Sequence, residues 1–591
     1  MTLIQTFRIS HPKPGNPTVG RQRRAFALLL LISLVLVGGI GVRLAYLQLI
    51  TGKVNREKAE DNRIRIVPKS PVRGNLFDRR GKVLATTRLT YAAYLWPKAQ
   101  QQPDWPQKLG RLADLLSIPQ ADIQRRVEQA GYNSPTLIRI ARSLTPAQIT
   151  ALKEYANELQ GIVEVDIETV RYYPNQGLAA HVLGYTGELN AEELTQRRTE
   201  GYRMGDIVGK IGLEAAYEPQ LRGEWGGLQL EVDGAGRVLR FLGQKVGKAG
   251  RDVTLTLDLA TQKAAEAALG NKKGAIVALD PRNGEVLAMA SYPRFDPNIF
   301  SNQITPAIWK QLQGEGNPFL NRSLQGFPPA STFKVVTQTA GMESGKYPPK
   351  TILGTYAALN VGGTAFGEWN HAGFGPLGYV QALAWSSNTF HGQIGRGVGG
   401  PALIKWARRY GFGQKTGIEL NGESAGLIAD DAWKRKNYNW EWTEGDTVNM
   451  SIGQGFTQAT PLQVAVMFSV PANGGYKIKP HFFKGTGDAD KWRKSLDLKP
   501  ETLKTLREGL RAVVAGGTGK ALNVPSLPPA AGKSGTAEAP PGKSHTWFGA
   551  FAPFDNPEIV VVAFVEHSGG GGGSVAAPLV RQVMEAYFKK L

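Results

Sequence analysis

An α+β fold carried behind a single membrane-spanning helix is what the order of patterns along this chain predicts. Three observations carry that reading: an uncharged apolar run near the N-terminus, a middle region mixing β-like runs with polar helical stretches, and two strand pairs at opposite ends of the region after Arg251. Strand pairs so far apart in sequence, with helical stretches between them, suggest one antiparallel sheet assembled from distant segments and covered by helices. The chain has 591 residues, too many for one core. Its 42% hydrophobic and 9% aromatic content describes a folded protein rather than a disordered one. It has no cysteine, which rules out disulfides and Cys-ligated zinc. A net charge of +21 implies an anionic partner. The basic residues are spread along the chain with no Cys/His finger, RNP motif or arginine-rich run, so a membrane lipid surface or an acidic wall polymer fits and nucleic acid does not.

In chain order, residues 1–20 are polar and bear Pro and Gly, as a disordered tail would. Ala25–Val42 carries no charge and is long enough to cross a bilayer, with Arg21, Arg23 and Arg24 before it and Arg43 after it. It lacks a small-residue cleavage site and reads as a retained signal anchor. Lys13 and the three arginines ahead of the run face Arg43, Lys53 and Arg56 behind it, so charge counting favours a cytoplasmic N-terminus only by a narrow margin. From Thr51 to about Arg251 the run 161–170 is β-like and Gln107–Ala130 helical. Two turn-rich, charged stretches, Pro71–Gly81 and Gly205–Glu214, are expected to hold buried Arg/Asp pairs at a domain junction. Beyond Arg251, residues 274–280 and 285–291 form a hairpin around Pro281–Gly284, and 546–553 and 558–567 form another around Phe554–Pro557. A helix closes the chain from Ala577 to Lys590, after a Gly569–Gly573 run read as a flexible connector.

Chemistry concentrates in three short motifs. Ser331-Thr332-Phe333-Lys334 follows Phe327-Pro328-Pro329-Ala330 and places a serine and a lysine on adjacent turns of one helix. Ser10-His11-Pro12-Lys13 has the same spacing in a Pro-rich tail, so the spacing alone is weak. Ser386-Ser387-Asn388 and Lys533-Ser534-Gly535-Thr536 follow in order, and such a trio occurs together in β-lactamases and penicillin-binding proteins. Lys415-Thr416-Gly417 also satisfies the third pattern but sits in a loop-like setting with no hairpin after it. Acyl transfer gives each part a task. Ser331 attacks a carbonyl, and its own N–H with that of Thr536 forms the oxyanion hole, worth about 3 kcal/mol per donor. Lys334 takes the serine proton, provided burial and a second cation, Lys533, lower its proton affinity. Ser386 relays a proton to the leaving amine, and Asn388 holds a lysine and the substrate amide. Ser534, Thr536 and Lys533 grip a substrate carboxylate, while Gly535 lets the substrate backbone approach. His371, His391 and His545 lack ligand spacing and read as structural or substrate-lining.

With these motifs in place, the chain resembles a class B penicillin-binding protein over nearly all its length after the anchor. Asn62-Arg63, Pro71–Gly74, Asp78–Gly81, Arg171–Pro174, His181–Tyr185 and Gly209–Glu218 resemble the family's non-catalytic pedestal. Asn321-Arg322, Trp369–His371, Gly453–Gly455, Thr460–Gln463 and Ala577-Pro578 resemble its transpeptidase region. His181–Tyr185 and Glu231–Asp233 are more similar to the elongation enzyme, penicillin-binding protein 2, than to the division-specific one. The resemblance implies a cytoplasmic tail at 1–24, an anchor at 25–46, a pedestal of the dimerisation type at 47–250, and a transpeptidase domain at 251–591 with a five-stranded antiparallel sheet flanked by helices. It further implies an inner-membrane protein with a periplasmic catalytic domain, and D,D-transpeptidation of peptidoglycan stem peptides on nascent glycan. That reaction passes through a Ser331 acyl-enzyme with release of D-Ala; β-lactams acylate the same serine. No cofactor and no metal are called for. The implied partners are a SEDS-type, RodA-like membrane glycosyltransferase and other elongation machinery. Ala330 stands where the family usually has Gly, and Ser534 where Thr is commoner; both changes are small in size and expected to tune rather than alter the mechanism. A division-specific transpeptidase, a D,D-carboxypeptidase or β-lactamase-like hydrolase, and a catalytically idle scaffold for a wall polymerase are the alternatives.

Overall fold

The computed structural model describes residues 17–589 apart from 52, 54–63, 132–136, 160–161, 204, 233–237, 303, 305, 315 and 486–488. The Ser10–Lys13 tetrad, Arg56, Asn62, Arg63, Asp233 and Lys590 lie outside the described residues. Two compact units result: one joins the chain up to Lys69 with Trp225–Gly247, the other joins Ser70–Glu224 with Lys248–Leu591.

In the first unit the apolar run is helix α1, Pro17–Ala45, continued by a π-helical turn at Tyr46–Ile50. The most apolar 18-residue stretch within Arg21–Ile50 has a mean hydropathy of 2.7 and no buried residue, so length and composition suit a bilayer span. Residues 17–20, expected in the tail, instead form the first turn of α1; Pro17 starts it well because its φ is already helical and its missing N–H is one the helix would leave unpaired. Three antiparallel strands, in the order Ile64–Lys69, Gly226–Val232, Val238–Lys245, complete this unit.

The second unit begins with a long antiparallel pair, Val83–Leu95 against Val163–Tyr172, in register from Thr86 opposite Tyr172 to Leu95 opposite Val163. The stretch expected as one helix is two, Trp105–Leu116 and Gln120–Ala130. Ser117 turns to a left-handed φ of 56°, and Pro119 can donate no helical hydrogen bond, so the helix cannot run through. Both charged stretches are tied down by buried ion pairs, chiefly Arg/Glu rather than the expected Arg/Asp. Glu214, fully buried, accepts from Arg73 Nε at 2.7 Å and Arg171 Nε at 2.6 Å, and Arg73 also pairs with Glu218 at 2.7 Å. Arg79–Glu285 and Arg80–Asp258, each 2.9 Å, fasten this segment to the region after Arg251.

The principal sheet has five antiparallel strands: β1 (Gly274–Leu279), β2 (Val286–Tyr292), β3 (Ala531–Ala537), β4 (His545–Ala552) and β5 (Ile559–Val565), in the order β2-β1-β5-β4-β3. Apart from β3, its strands read as nearly continuous apolar runs because both faces are covered. Ile559, Val561, Ala563 and Val565 point to a core shared with helix α2 (Leu259–Leu269) and the C-terminal helix. Val560, Val562 and Phe564 point to the opposite core, shared with α3 (Lys334–Glu343), α4 (Asn388–Val398) and α5 (Pro461–Ala472). The C-terminal helix α6 starts at Gly572, five residues before the expected Ala577, and runs to Phe588. The glycine run is therefore no simple flexible connector. Gly572 is buried, and a Cβ there would lie 2.3 Å from Trp547 O and 2.4 Å from Gly535 O, so only glycine lets α6 press on β3 and β4.

Candidate active site

Ser331 sits on a 3₁₀ turn, Ala330–Phe333, that feeds directly into α3 at Lys334, rather than within one α-helix as the spacing suggested. A 3₁₀ turn eclipses side chains three apart, so the serine and lysine still share a face. The turn is pinned from three sides. Ala330 N donates to Gly453 O at 2.9 Å, Phe327 and Ala459 exchange backbone hydrogen bonds at 2.9 and 2.8 Å, and Trp547 Nε1 donates to Pro328 O at 2.9 Å. Ala330 has φ 50°, a left-handed conformation that costs a residue with a Cβ on the order of 1 kcal/mol. Glycine suits this position for its backbone freedom, so size was the wrong measure of the substitution. Ser331 is partly open to solvent while Thr332, Phe333 and Lys334 are wholly buried.

Lys334 reaches the second motif. Its Nζ donates to Ser386 O at 2.7 Å, Ser386 Oγ at 3.3 Å and Asn388 Oδ1 at 2.7 Å, and Ser331 is not among its partners. Ser386 is itself held at φ 57°, a second strained residue at the cleft. Ser387 caps α4, accepting from Phe390 N at 3.2 Å, which points Asn388 into the site from the first turn. Burial drives the Lys334 amine down from its usual 10.5 to about 7, with the nearby charge of Glu368 opposing the fall. Lys533 was expected to lower Lys334. Lys533 is itself pushed well below its ordinary range, by burial and then by the charge of Lys334, a repulsion that two neighbouring cations share.

The third motif lies on β3, the open edge of the sheet. Lys533 is fully buried, its Nζ donating to Ser534 O at 2.8 Å, and Ser534 Oγ pairs with Thr518 Oγ1 at 2.7 Å. Thr536 is exposed, its Oγ1 accepting from Gly572 N at 3.2 Å. A Cβ on Gly535 would meet Pro329 O at 3.1 Å and Thr332 Cγ2 at 3.2 Å. Its smallness brings β3 against the nucleophile turn, a close approach within the protein. Ser331, Lys334, Ser386, Asn388 and Lys533–Thr536, far apart in sequence, are brought to one cleft by these contacts.

Three residues of the site escaped the sequence reading. Glu368 and Thr518 are linked to the motifs only through space, although Glu368 immediately precedes Trp369-Asn370-His371, and Thr389 directly follows Asn388. His391 is fully buried between Ser387 O (2.6 Å) and Gln338 Nε2 (3.1 Å); the carbonyl requires a proton on Nδ1, and burial keeps the ring neutral. His545 is buried edge-on against Phe327 and Phe564, and His371 is exposed. Lys415–Gly417 is a loop. A cleft of about 1230 Å³ opens elsewhere, among Lys405, Arg408, Asp431 and Lys494, and contains none of the motif residues, so size does not locate the chemistry. Among the described residues no cluster of three or more His, Asp or Glu could hold a metal ion.

An amine half-neutral near pH 7, one helical step from an accessible serine, is equipment for acyl transfer. With the two-faced antiparallel sheet behind it, it places the chain in the class of active-serine, penicillin-binding acyltransferases. The chain belongs to the penicillin-binding protein family: residues 274–585 match the penicillin binding protein transpeptidase domain and residues 68–255 the penicillin-binding protein dimerisation domain. It is 34% identical to the peptidoglycan D,D-transpeptidase MrdA of Acinetobacter baumannii, across 96% of this chain and 88% of that one. The Escherichia coli K12 protein of the same name is 31% identical across 95% and 93%. The penicillin-binding protein PBP2 in its complex with MreC from Helicobacter pylori superposes with a TM-score of 0.80 at 30% identity, covering 89% of this chain and 99% of that chain. A chain from a peptidoglycan synthase complex, solved for the coordination of polymerization and crosslinking, superposes at 0.70 with 34% identity, covering 96% and 98%.

Proposed function

We propose that this protein is a peptidoglycan D,D-transpeptidase of the elongation type, with Ser331 as nucleophile. The observation that carries the reading is the Lys334 amine, fully buried, held by two groups of the second motif and brought to about 7. Ser331 Oγ attacks the penultimate D-Ala carbonyl of a donor stem peptide and passes its proton to neutral Lys334. The N–H groups of Ser331 and Thr536 receive the oxyanion. As the C–N bond breaks, the departing D-Ala amine takes a proton from Lys334 by way of Ser386, leaving an ester on Ser331. An amine of a neighbouring stem then attacks that ester, forms the cross-link and restores the serine. Asn388 fixes Lys334 and the substrate amide; Lys533, Ser534 and Thr536 bind the terminal carboxylate, and Gly535 lets the substrate backbone approach. A β-lactam acylates the same serine.

The anchor helix, the charge bias before it and the relatives' names support a single-pass inner-membrane protein, with its tail at 1–24 cytoplasmic and its catalytic domain periplasmic. The division into a 47–250 pedestal and a 251–591 transpeptidase domain belongs to the same reading. So does a partnership with a SEDS-type polymerase and other elongation proteins, supported by the likeness to PBP2 bound to MreC and to a chain of a synthase complex. Fluorescent penicillin labels the wild-type protein covalently and fails to label Ser331→Ala. No label on the wild type overturns the assignment, and release within minutes replaces transpeptidation by hydrolysis.

A further inference from the structure

Glu368 is a buried carboxylate that the acyl-transfer scheme does not use. It follows the short strand Thr364–Gly367 and is 3% exposed, yet it meets no arginine or lysine in an ion pair among the described residues. Its carboxylate is met by Ser387 and Asn388 of the second motif, by Thr389 directly after them and by its own neighbour Trp369. Oε2 accepts from Ser387 Oγ at 2.6 Å, Thr389 N at 3.1 Å and Thr389 Oγ1 at 3.1 Å. Oε1 accepts from Asn388 N and Trp369 N, each at 3.1 Å. Two of these donors are the first backbone N–H groups of α4, which have no partner inside the helix and carry its positive end. The neighbouring Gly367 O accepts from Asn388 Nδ2 at 3.0 Å. With its amide nitrogen so occupied, Asn388 can present only Oδ1 to Lys334, the 2.7 Å contact observed.

We propose that Glu368 is a positioning residue for acyl transfer: its carboxylate clamps the Ser387–Thr389 turn so that Ser386 O and Asn388 Oδ1 meet the Lys334 amine, and it is the counter-charge to that amine. The charge arrangement around Lys334 is simple. Lys533 faces it from β3, His391 from α4 and Glu368 from the 364–368 loop. His391 is neutral, so Glu368 alone of these three favours a proton on Lys334 and offsets part of what burial removes. A mere helix cap would hold the backbone; this one also bears on when the catalytic amine can accept a proton.

The inference rests on the proposed roles of Ser331 and Lys334, and its failure looks different from theirs. If those roles are wrong, the wild-type protein does not label with penicillin. To test Glu368, the rate of labelling by fluorescent penicillin is followed from pH 5 to 9 on the full-length, detergent-solubilised protein. In Glu368→Gln the acid limb of the profile moves down by about one pH unit, because Lys334 loses its counter-charge. In Glu368→Asp, which keeps the charge on a shorter arm, the limb returns to the wild-type position although the rate falls. A Glu368→Gln protein that melts cooperatively but shows a reduced or unchanged rate with the limb unmoved overturns the inference, since support of the fold alone moves no titration. Should Glu368→Gln fail to fold, Ser387→Ala carries the test by removing the 2.6 Å donor and leaving the charge. The rate then falls by about ten-fold or more from misplacement of Asn388, with the limb in place. Labelling of Ser387→Ala at the wild-type rate overturns the clamp.

Discussion

Holding Lys334 at about 7 has a consequence that can be measured on either side of neutrality. A lysine at its ordinary value near 10.5 is neutral in roughly one molecule in 3000 at pH 7, whereas one at about 7 is neutral in about half. That gain in usable base corresponds to about 5 kcal/mol of burial, the order expected for an amine with no exposed surface. Acylation of Ser331 by penicillin is accordingly level above about pH 7.5 and falls ten-fold per unit below about pH 6.5, as Lys334 takes up its proton. The assay is the second-order rate of covalent labelling by a fluorescent penicillin between pH 5 and 9, with Lys334→Arg as a control whose charge never titrates and which loses labelling throughout. The same burial enters stability. Because folded Lys334 binds its proton less tightly than the unfolded chain does, the unfolded state holds more protons between about pH 7 and 10.5, and stability rises with pH across that window. Wild type therefore gains more in urea midpoint between pH 7 and 9.5 than Lys334→Met. A labelling rate flat from pH 5 to 9, or one still climbing ten-fold per unit at pH 9, refutes the assignment of Lys334 as base.

Two further outcomes test the supports of the cleft. Gly572→Ala places a Cβ 2.3 Å from Trp547 O and 2.4 Å from Gly535 O, so β3 or α6 must shift; penicillin labelling drops by about 100-fold while circular dichroism retains the helix content. Glu214→Gln removes the charge shared by Arg73 and Arg171 and leaves two buried guanidinium groups short of a partner, lowering unfolding free energy by about 3 kcal/mol in a denaturant titration.

Elements whose signal is local were legible in the sequence. The β1–β2 and β4–β5 hairpins follow from turn residues between apolar runs, and the membrane helix from an unbroken apolar stretch. The three motifs were legible by type and order, since a serine, a lysine and an asparagine carry their chemistry with them. Contacts made across space were not. Glu368 is an ordinary glutamate in sequence and becomes part of the site because the 364–368 loop folds over the start of α4. The glycine run reads as a flexible connector, yet Gly572 is one of the closest contacts behind β3. Ala330 reads as a conservative replacement because the chain does not display the φ of 50° that makes it costly.

What the sequence by itself determined is the apolar helix near the N-terminus, the order of the elements and the three motifs, because hydrophobic run length, turn chemistry and reactive side chains are properties of short segments. The tertiary structure alone decided the state of the base. Side-chain spacing put Lys334 one turn from Ser331, but only packing leaves its amine with no exposed surface and sets Ser386 and Asn388 against it. Proton affinity depends on burial and on charges brought near by the fold, and neither is a property of the four residues in which the motif is written.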